Sequence, residues 1–352
     1  MISLGDGIVD FILDGVGQVF FMGTPLVGAI ILIALYVNSK KAALFAVIGS
    51  IIGGVTAIAL GIPLDTVYFG IYGFNSVLTS IALGDTFLEK GYKAYLIAAI
   101  GAFFTAFITA SLIHVTSVFG LPVETSGFVL TTWIILFAAY KFFGYKLAGA
   151  GVPPKQRANI LKKEYNSGEE PIKMHEFTLG GFIKLIFTGI SQVFFQENYL
   201  TGIIMVVGLT LATISLKPFA FGIQYPIFFA GVTAFIGSLV GTLTGIALKA
   251  DRTSILMGLY GFNGVLTALA VMGVFLGFFY STEGFPGAPQ NFIIMLIAVV
   301  LSSIVTAFIG SITSKWNLPT LTAPFVFSSW LIELSAKVFP NIIQIIATLN
   351  IH

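Results

Sequence analysis

The chain has no cysteine among its 352 residues, which excludes disulfides, thiolate metal sites, iron–sulfur ligation and thioether haem attachment together. Charge is almost as scarce, since Asp, Glu, Lys and Arg make up only 9% of the sequence. A net charge of +2, with few basic residues outside one polar stretch, gives no footprint for a nucleic acid, and no such partner is expected. The three histidines, His114, His175 and His352, have no matched counterparts, so a paired-histidine pore for ammonia has no support. No duplicated nucleophile, acid pair or metal cluster is present, so catalysis, a metal and a cofactor are not expected. The start, Met1-Ile2-Ser3-Leu4-Gly5-Asp6, has an acid where a signal peptide carries Lys or Arg, and is expected to stay in the mature chain.

What is present is apolar. Hydrophobic residues make up 57% of the chain and the mean hydropathy is +1.00, far above soluble domains, so most of the chain must contact lipid. Within it, Gly70-Ile71-Tyr72-Gly73-Phe74-Asn75-Ser76-Val77-Leu78-Thr79 returns as Gly258-Leu259-Tyr260-Gly261-Phe262-Asn263-Gly264-Val265-Leu266-Thr267, identical at eight of ten positions. Gly15-Val16-Gly17-Gln18-Val19-Phe20-Phe21 matches Gly189-Ile190-Ser191-Gln192-Val193-Phe194-Phe195, and Leu121-Pro122-Val123-Glu124-Thr125 matches Leu318-Pro319-Thr320-Leu321-Thr322. The three matches occur in one order, at offsets of 174, 188 and 197 residues, as a tandem duplication with small insertions in the second copy requires.

The duplication organises the chain into a first repeat at 1–143, a polar linker at 144–176 and a second repeat at 177–352. Residues 3–20 place Asp6, Asp10 and Asp14 on one helical face, a poor lipid-exposed span, and are predicted to form a short re-entrant helix ending near Gln18. Spans follow at 25–37, 42–60, 64–83, 94–119 and 122–143. The second copy has a re-entrant segment at 177–195 and spans near 199–216, 225–248, 254–279, 291–313 and 319–339. Two copies of a five-span unit must insert upside down relative to each other. The predicted fold is therefore an all-α polytopic membrane protein with ten transmembrane helices and two re-entrant half-helices in two inverted repeats.

Glycines interrupt the third segment of each repeat, and such interruptions at matched places point to a transport site at the repeat axis. A cytoplasmic linker would put fourteen of the seventeen Lys and Arg residues on one side, with both termini outside. Gln18 and Gln192 are two of only seven glutamines, each serving as a structural amide at a helix end or as part of a pore. Asn75 and Asn263 are expected to satisfy backbone groups freed at helix breaks. Thr125 and Thr322 can cap helices or offer hydroxyls to a permeant. No charged residue recurs at matched positions inside the spans: Glu124 faces Leu321 in the alignment, and Glu333 is a lone acid. An uncharged lining suits a small neutral polar solute, of which planar urea, with its donors and single carbonyl, is one.

At these motifs the sequence resembles the urea transporter family, over essentially the whole chain. The resemblance implies a channel-like facilitator of passive urea permeation, with one pore per protomer of a homotrimer embedded in lipid. It also implies roles: Gln18 and Gln192 at the outer binding positions with Val19 and Val193 beside them, and Phe74 with Leu78 and Phe262 with Leu266 as slot walls. Phe21 and Phe195 would line the mouths, and Thr125 and Thr322 the narrow middle. The sequence departs from equal halves at Gly127, which stands where the second copy has Pro324. The resemblance to animal members places the termini in the cytoplasm, opposite to the charge argument. An ion-coupled carrier for a short amide, or a pore for ammonia or water, are the alternative readings. With no long polar tails, a prokaryotic inner membrane is the expected home.

Overall fold

The computed structural model describes residues 4–145, 172–211, 229–275 and 288–336. Most of the linker, the ends of several second-repeat spans, Lys217, Lys337 and His352 lie outside the described residues. The described residues fold into fourteen α-helices, seven on each side of residues 146–171. The first set is α1 (Leu4–Gly17), α2 (Pro25–Asn38), α3 (Lys40–Ala59), α4 (Leu64–Tyr68), α5 (Gly73–Ile81), α6 (Tyr92–Val118) and α7 (Ser126–Lys141). The second is α8 (Leu179–Ser191), α9 (Tyr199–Leu211), α10 (Phe229–Ala247), α11 (Arg252–Leu256), α12 (Leu259–Phe275), α13 (Ala288–Thr313) and α14 (Ala323–Ala336).

Local chemistry sets the boundaries. Thr24 accepts a hydrogen bond from the Val27 N–H and Pro25 opens α2, while Ser39 both ends α2 and caps α3 through the Ala42 N–H. The left-handed residues recur in register. Phe21 and Phe195 have φ of 62° and 61°, Gly70 and Gly258 74° and 76°, and Glu124 and Leu321 48° and 52°. Gly61 pairs in the same way with Lys249, and Gly120 with Asn317. A non-glycine residue there costs about 1–2 kcal/mol, so matched exceptions in both sets mean that the same turns are imposed by the same surroundings.

Lys40–Ala59, Tyr92–Val118, Ala230–Ala247 and Phe292–Trp316 are long and apolar enough to cross a membrane. The end of α1 meets α2, and α8 meets α9, at bends of 75° and 76°, so up to six spans qualify if each bent pair counts as one. The third segment of the first repeat is broken at 69–72, ahead of Asn75 and Ser76, which lie inside α5. At this break α1 crosses closely: a Cβ on Gly15 would collide with Ser50 Oγ and touch the Gly73 backbone. Gly189 meets Ser238 and Gly261 in the same way.

One buried cluster runs through both sets, from Val16, Phe20 and Phe128 to Phe194, Leu266 and Phe325. The end of the linker differs from the solvent-exposed stretch expected. Ile172 is buried with Leu185, Ile255 and Tyr260, because an isolated apolar side chain beside an apolar groove gains by docking. Glu176 pairs with Arg252 at 2.8 Å, and the Lys173 backbone N–H together with Arg252 holds its carboxyl below the usual range.

Candidate functional site

Thr125 and Thr322 lie 197 residues apart in sequence, yet their hydroxyl oxygens meet at 2.6 Å, and both side chains are buried. Each follows a left-handed residue, Glu124 or Leu321, that turns the chain into α7 or α14. Such turns expose backbone polar groups that must be satisfied in a membrane interior. Asn75 on α5 does this for the first turn: its amide donates to the Glu124 carbonyl at 3.0 Å, and its oxygen accepts from the Phe128 N–H at 3.0 Å. Asn263 on α12 repeats both bonds, to the Leu321 carbonyl at 3.4 Å and from the Phe325 N–H at 3.2 Å. The helix break served by each asparagine is thus the one ahead of α7 or α14, and not the break beside its own helix.

The two turns are also held crosswise. Trp133 of α7 donates its indole N–H to the Pro319 carbonyl at 2.8 Å, and Trp330 of α14 donates to the Pro122 carbonyl at 2.9 Å. Each set of helices therefore clamps the turn of the other. Trp133→Phe and Trp330→Phe delete the donor and keep most of the ring. Each is expected to cost about 1 kcal/mol, read as a lower thermal midpoint in detergent. An unchanged midpoint in both variants contradicts the clamp.

Aromatic rings exchange in the same way. Phe21 meets Phe325 at 5.9 Å between centroids, Phe195 meets Phe128 at 5.9 Å, and the matched Phe20 and Phe194 meet each other at 5.5 Å. Gln18 Nε2 donates to the Phe69 carbonyl and Gln192 Nε2 to the Met257 carbonyl, both at 2.9 Å. Phe69 and Met257 follow α4 and α11, so the two amides close the exposed ends of those short helices.

A cavity of about 490 Å³ is lined by Gln192, Phe195, Phe87, Tyr260 and Asn317, among others, and reaches Phe262 and Leu321, the residue before Thr322. Of the sequence-predicted residues, Gln192, Phe195 and Phe262 line it. Val19, Val193, Leu78 and Leu266 are fully buried in the core cluster, with Phe74 close to it in burial. Sequence reasoning missed the Trp133 and Trp330 clamps and the Phe128 and Phe325 partners. The signal was present, because both pairs keep the 197-residue offset of the Leu-Pro-x-x-Thr motif and only three tryptophans exist. Among the described residues, no group of His, Asp and Glu could hold a metal ion.

Several long apolar helices, broken helices at matched places and a cavity of mixed amide, hydroxyl and aromatic lining define a polytopic helical membrane protein. The chain belongs to the urea transporter family, whose sequence profile matches residues 5–140 and 183–346. It is 33% identical over 161 residues to urea transporter 1 of Ovis aries, a stretch covering 45% of this chain and 42% of that protein. With urea transporter 1 of Mus musculus it shares 37% over 127 residues, 36% of this chain and 33% of the relative. The match to urea transporter 1 of Rattus norvegicus is weaker but longer, 25% over 337 residues, covering 95% of this chain and 78% of the relative. In the sheep and mouse alignments the chain spans less than half the length of the relatives it matches.

Proposed function

We propose that this chain is a channel-like facilitator that lets urea cross a membrane down its own gradient, without ion coupling and without catalysis. The observation that carries this reading is the Thr125–Thr322 hydroxyl pair, centred between two exchanged turns and next in sequence to Leu321, which lines the cavity. A hydroxyl pair at 2.6 Å leaves no gap between its oxygens. A permeant must therefore part it, exchanging one mutual hydrogen bond, worth about 0.5–1.5 kcal/mol net, for bonds from both hydroxyls to itself. Urea offers both the donors and the acceptor that this exchange needs. Ions gain nothing comparable from two neutral hydroxyls flanked by apolar Leu321 and Phe262 of the cavity lining.

In this reading the two sets of seven helices are inverted repeats, ten spans and two re-entrant helices in all, joined by the linker. Gln192 and Gln18 stand at the two mouths, the phenylalanines hold the solute's plane, and the buried Val and Leu residues back them. The assembly is a homotrimer in an inner (plasma) membrane. A counterflow assay in liposomes tests the mechanism. A pore gives tracer urea exchange that is not accelerated by urea on the far side, whereas trans-acceleration, or flux that collapses with the proton or sodium gradient, identifies a carrier.

The cavity side is proposed as cytoplasmic. Phe87, near Lys90 and Lys93, lines the same cavity as Asp251 and Asn317, beside Arg252 and Lys315, and Asn317 also reaches Tyr140, next to Lys141. Because the chain has no native cysteine, a single Lys315→Cys gives a clean readout. It is expected to resist an impermeant thiol reagent in intact cells and to react in inside-out vesicles; the opposite pattern reverses the orientation.

A further inference from the structure

The turn that carries Phe195 is held differently from its counterpart. The two share a backbone: the Phe21 and Phe195 N–H groups donate to the Gln18 and Gln192 carbonyls at 2.9 Å, and the Met22 and Gln196 N–H groups to the Gly17 and Ser191 carbonyls at 3.2 and 3.1 Å. Where the first turn has Met22, the second has Gln196, which is 2% exposed. A buried amide needs partners at both of its ends. Gln196 Nε2 donates to the Phe194 carbonyl at 2.8 Å, and its Oε1 accepts from Asn38 Nδ2 at 2.7 Å. Asn38 is the last residue of α2, and its own Oδ1 accepts from Asn198 Nδ2 at 3.0 Å. Asn198 Oδ1 in turn caps the start of α9, accepting from the Leu200 and Thr201 N–H groups at 2.8 and 3.2 Å.

The next residue along, Ser39, holds the other side. Its hydroxyl donates to Asp85 Oδ2 at 2.7 Å, and Asp85 also pairs with Lys90 at 3.1 Å. Phe87, two residues after Asp85, and Phe195, one residue before Gln196, meet edge to face at 5.5 Å between centroids, and both line the cavity. One corner of the chain, Asn38-Ser39, is thus tied through a single side chain to each of two touching cavity walls. Phe195 itself sits in the left-handed region with φ of 61°, a conformation that costs a non-glycine residue about 1–2 kcal/mol and persists only where the surroundings enforce it. We propose that Gln196 is a positioning residue for permeation: through Asn38 it fixes the Phe195 ring against Phe87, and so sets how wide a solute the cavity passes on. With its amide removed, the turn keeps its backbone bonds but loses its tie to α2, and the ring gains room to swing away from Phe87.

The inference rests on the reading of this cavity as one mouth of the urea pathway, and its test separates the two. Gln196→Met, which puts the first turn's side chain into the second, keeps the length of the side chain and removes both of its hydrogen bonds. Asn38→Ala, at an exposed position, removes the tie to α2 and leaves the Gln196 bond to Phe194, and it serves if the first variant folds poorly. Fluxes of urea and of N-methylurea into liposomes are compared for each. The ratio of N-methylurea to urea flux is expected to rise about threefold to tenfold, the selectivity that one net hydrogen bond can hold. A variant that is merely destabilised lowers both fluxes together and leaves their ratio at the wild-type value. Independently of transport, 4-fluorophenylalanine placed at position 195 reports the ring itself. One sharp fluorine resonance is expected in the otherwise unaltered protein, and a broadened or split one in both variants. A resonance or a flux ratio unchanged in both variants overturns the proposal. A resonance that responds in a protein with no urea flux above empty liposomes keeps Gln196 as the residue that fixes the ring and overturns the functional reading instead.

Discussion

Thr322→Val and Thr125→Val are each expected to lower urea flux about tenfold while leaving the fold intact. Valine matches threonine in shape but replaces the hydroxyl with a methyl group. In the resting protein this removes one buried hydrogen bond and leaves the opposite threonine without its partner at 2.6 Å, a cost of about 1–3 kcal/mol. The larger effect falls on the permeant. On the proposed pathway, urea passing between the two turns has shed water, and a missing hydroxyl leaves one of its polar groups unmatched. A net loss of about 1.5 kcal/mol corresponds to roughly tenfold in rate. Serine at either position restores the hydroxyl and is expected to restore most of the flux, which a purely structural role for the methyl group does not predict. The readout is flux per reconstituted protomer, with the unfolding midpoint as control. Wild-type flux in both valine variants removes the pair from the pathway.

The second large effect is on stability. Asn75→Ala leaves the Glu124 carbonyl and the Phe128 N–H buried without partners, at about 1–3 kcal/mol each. The summed cost, about 2–6 kcal/mol, is comparable with the lower end of the stability of a typical domain, about 5–15 kcal/mol. Little folded protein is expected, and its midpoint should lie well below wild type. Asn263→Ala removes bonds of 3.4 and 3.2 Å, against 3.0 Å for both bonds of Asn75, and should be the milder change. Asn75→Asp keeps the acceptor for Phe128 and loses the donor to Glu124, so it should fall between the two extremes. A normal midpoint in Asn75→Ala shows that the turn is held by other means.

The parts of the site legible in the sequence were those written twice. Thr125 and Thr322, Asn75 and Asn263, and Gln18 and Gln192 stood out because a polar residue inside an apolar run is conspicuous, and recurrence in register makes chance a poor explanation. What each one touches was not legible. Trp133 reaching Pro319, and Phe21 reaching Phe325, are contacts between different copies. Such contacts depend on how the copies dock, which no periodicity within one copy encodes. The asparagines illustrate the same limit: their type suited a helix break, but the break they serve lies 49 or 58 residues along the chain. Glu124 was visible as an unmatched acid and Glu333 as a lone one.

The lengths of the helices were read less well than their order. The break and the bends shorten several apolar segments into pieces that a hydropathy window would count as single spans. Residues 64–83 are two helices joined at a left-handed glycine, and the pieces are held by α1 crossing at Gly15. An apolar run records only that a segment is surrounded by lipid or protein. The glycines record where it must stop, and they do so in both copies.

The measurement that bears most directly on the central claim is stopped-flow light scattering of liposomes containing the purified protein. An imposed urea gradient is used with no ion gradient present, comparing wild type with Gln18→Ala and Gln192→Ala. The account predicts fast wild-type equilibration that is sharply reduced in both variants, because it assigns the two amides to opposite mouths of one pathway. Wild-type liposomes no faster than empty ones, or alanine variants as fast as wild type, contradict it.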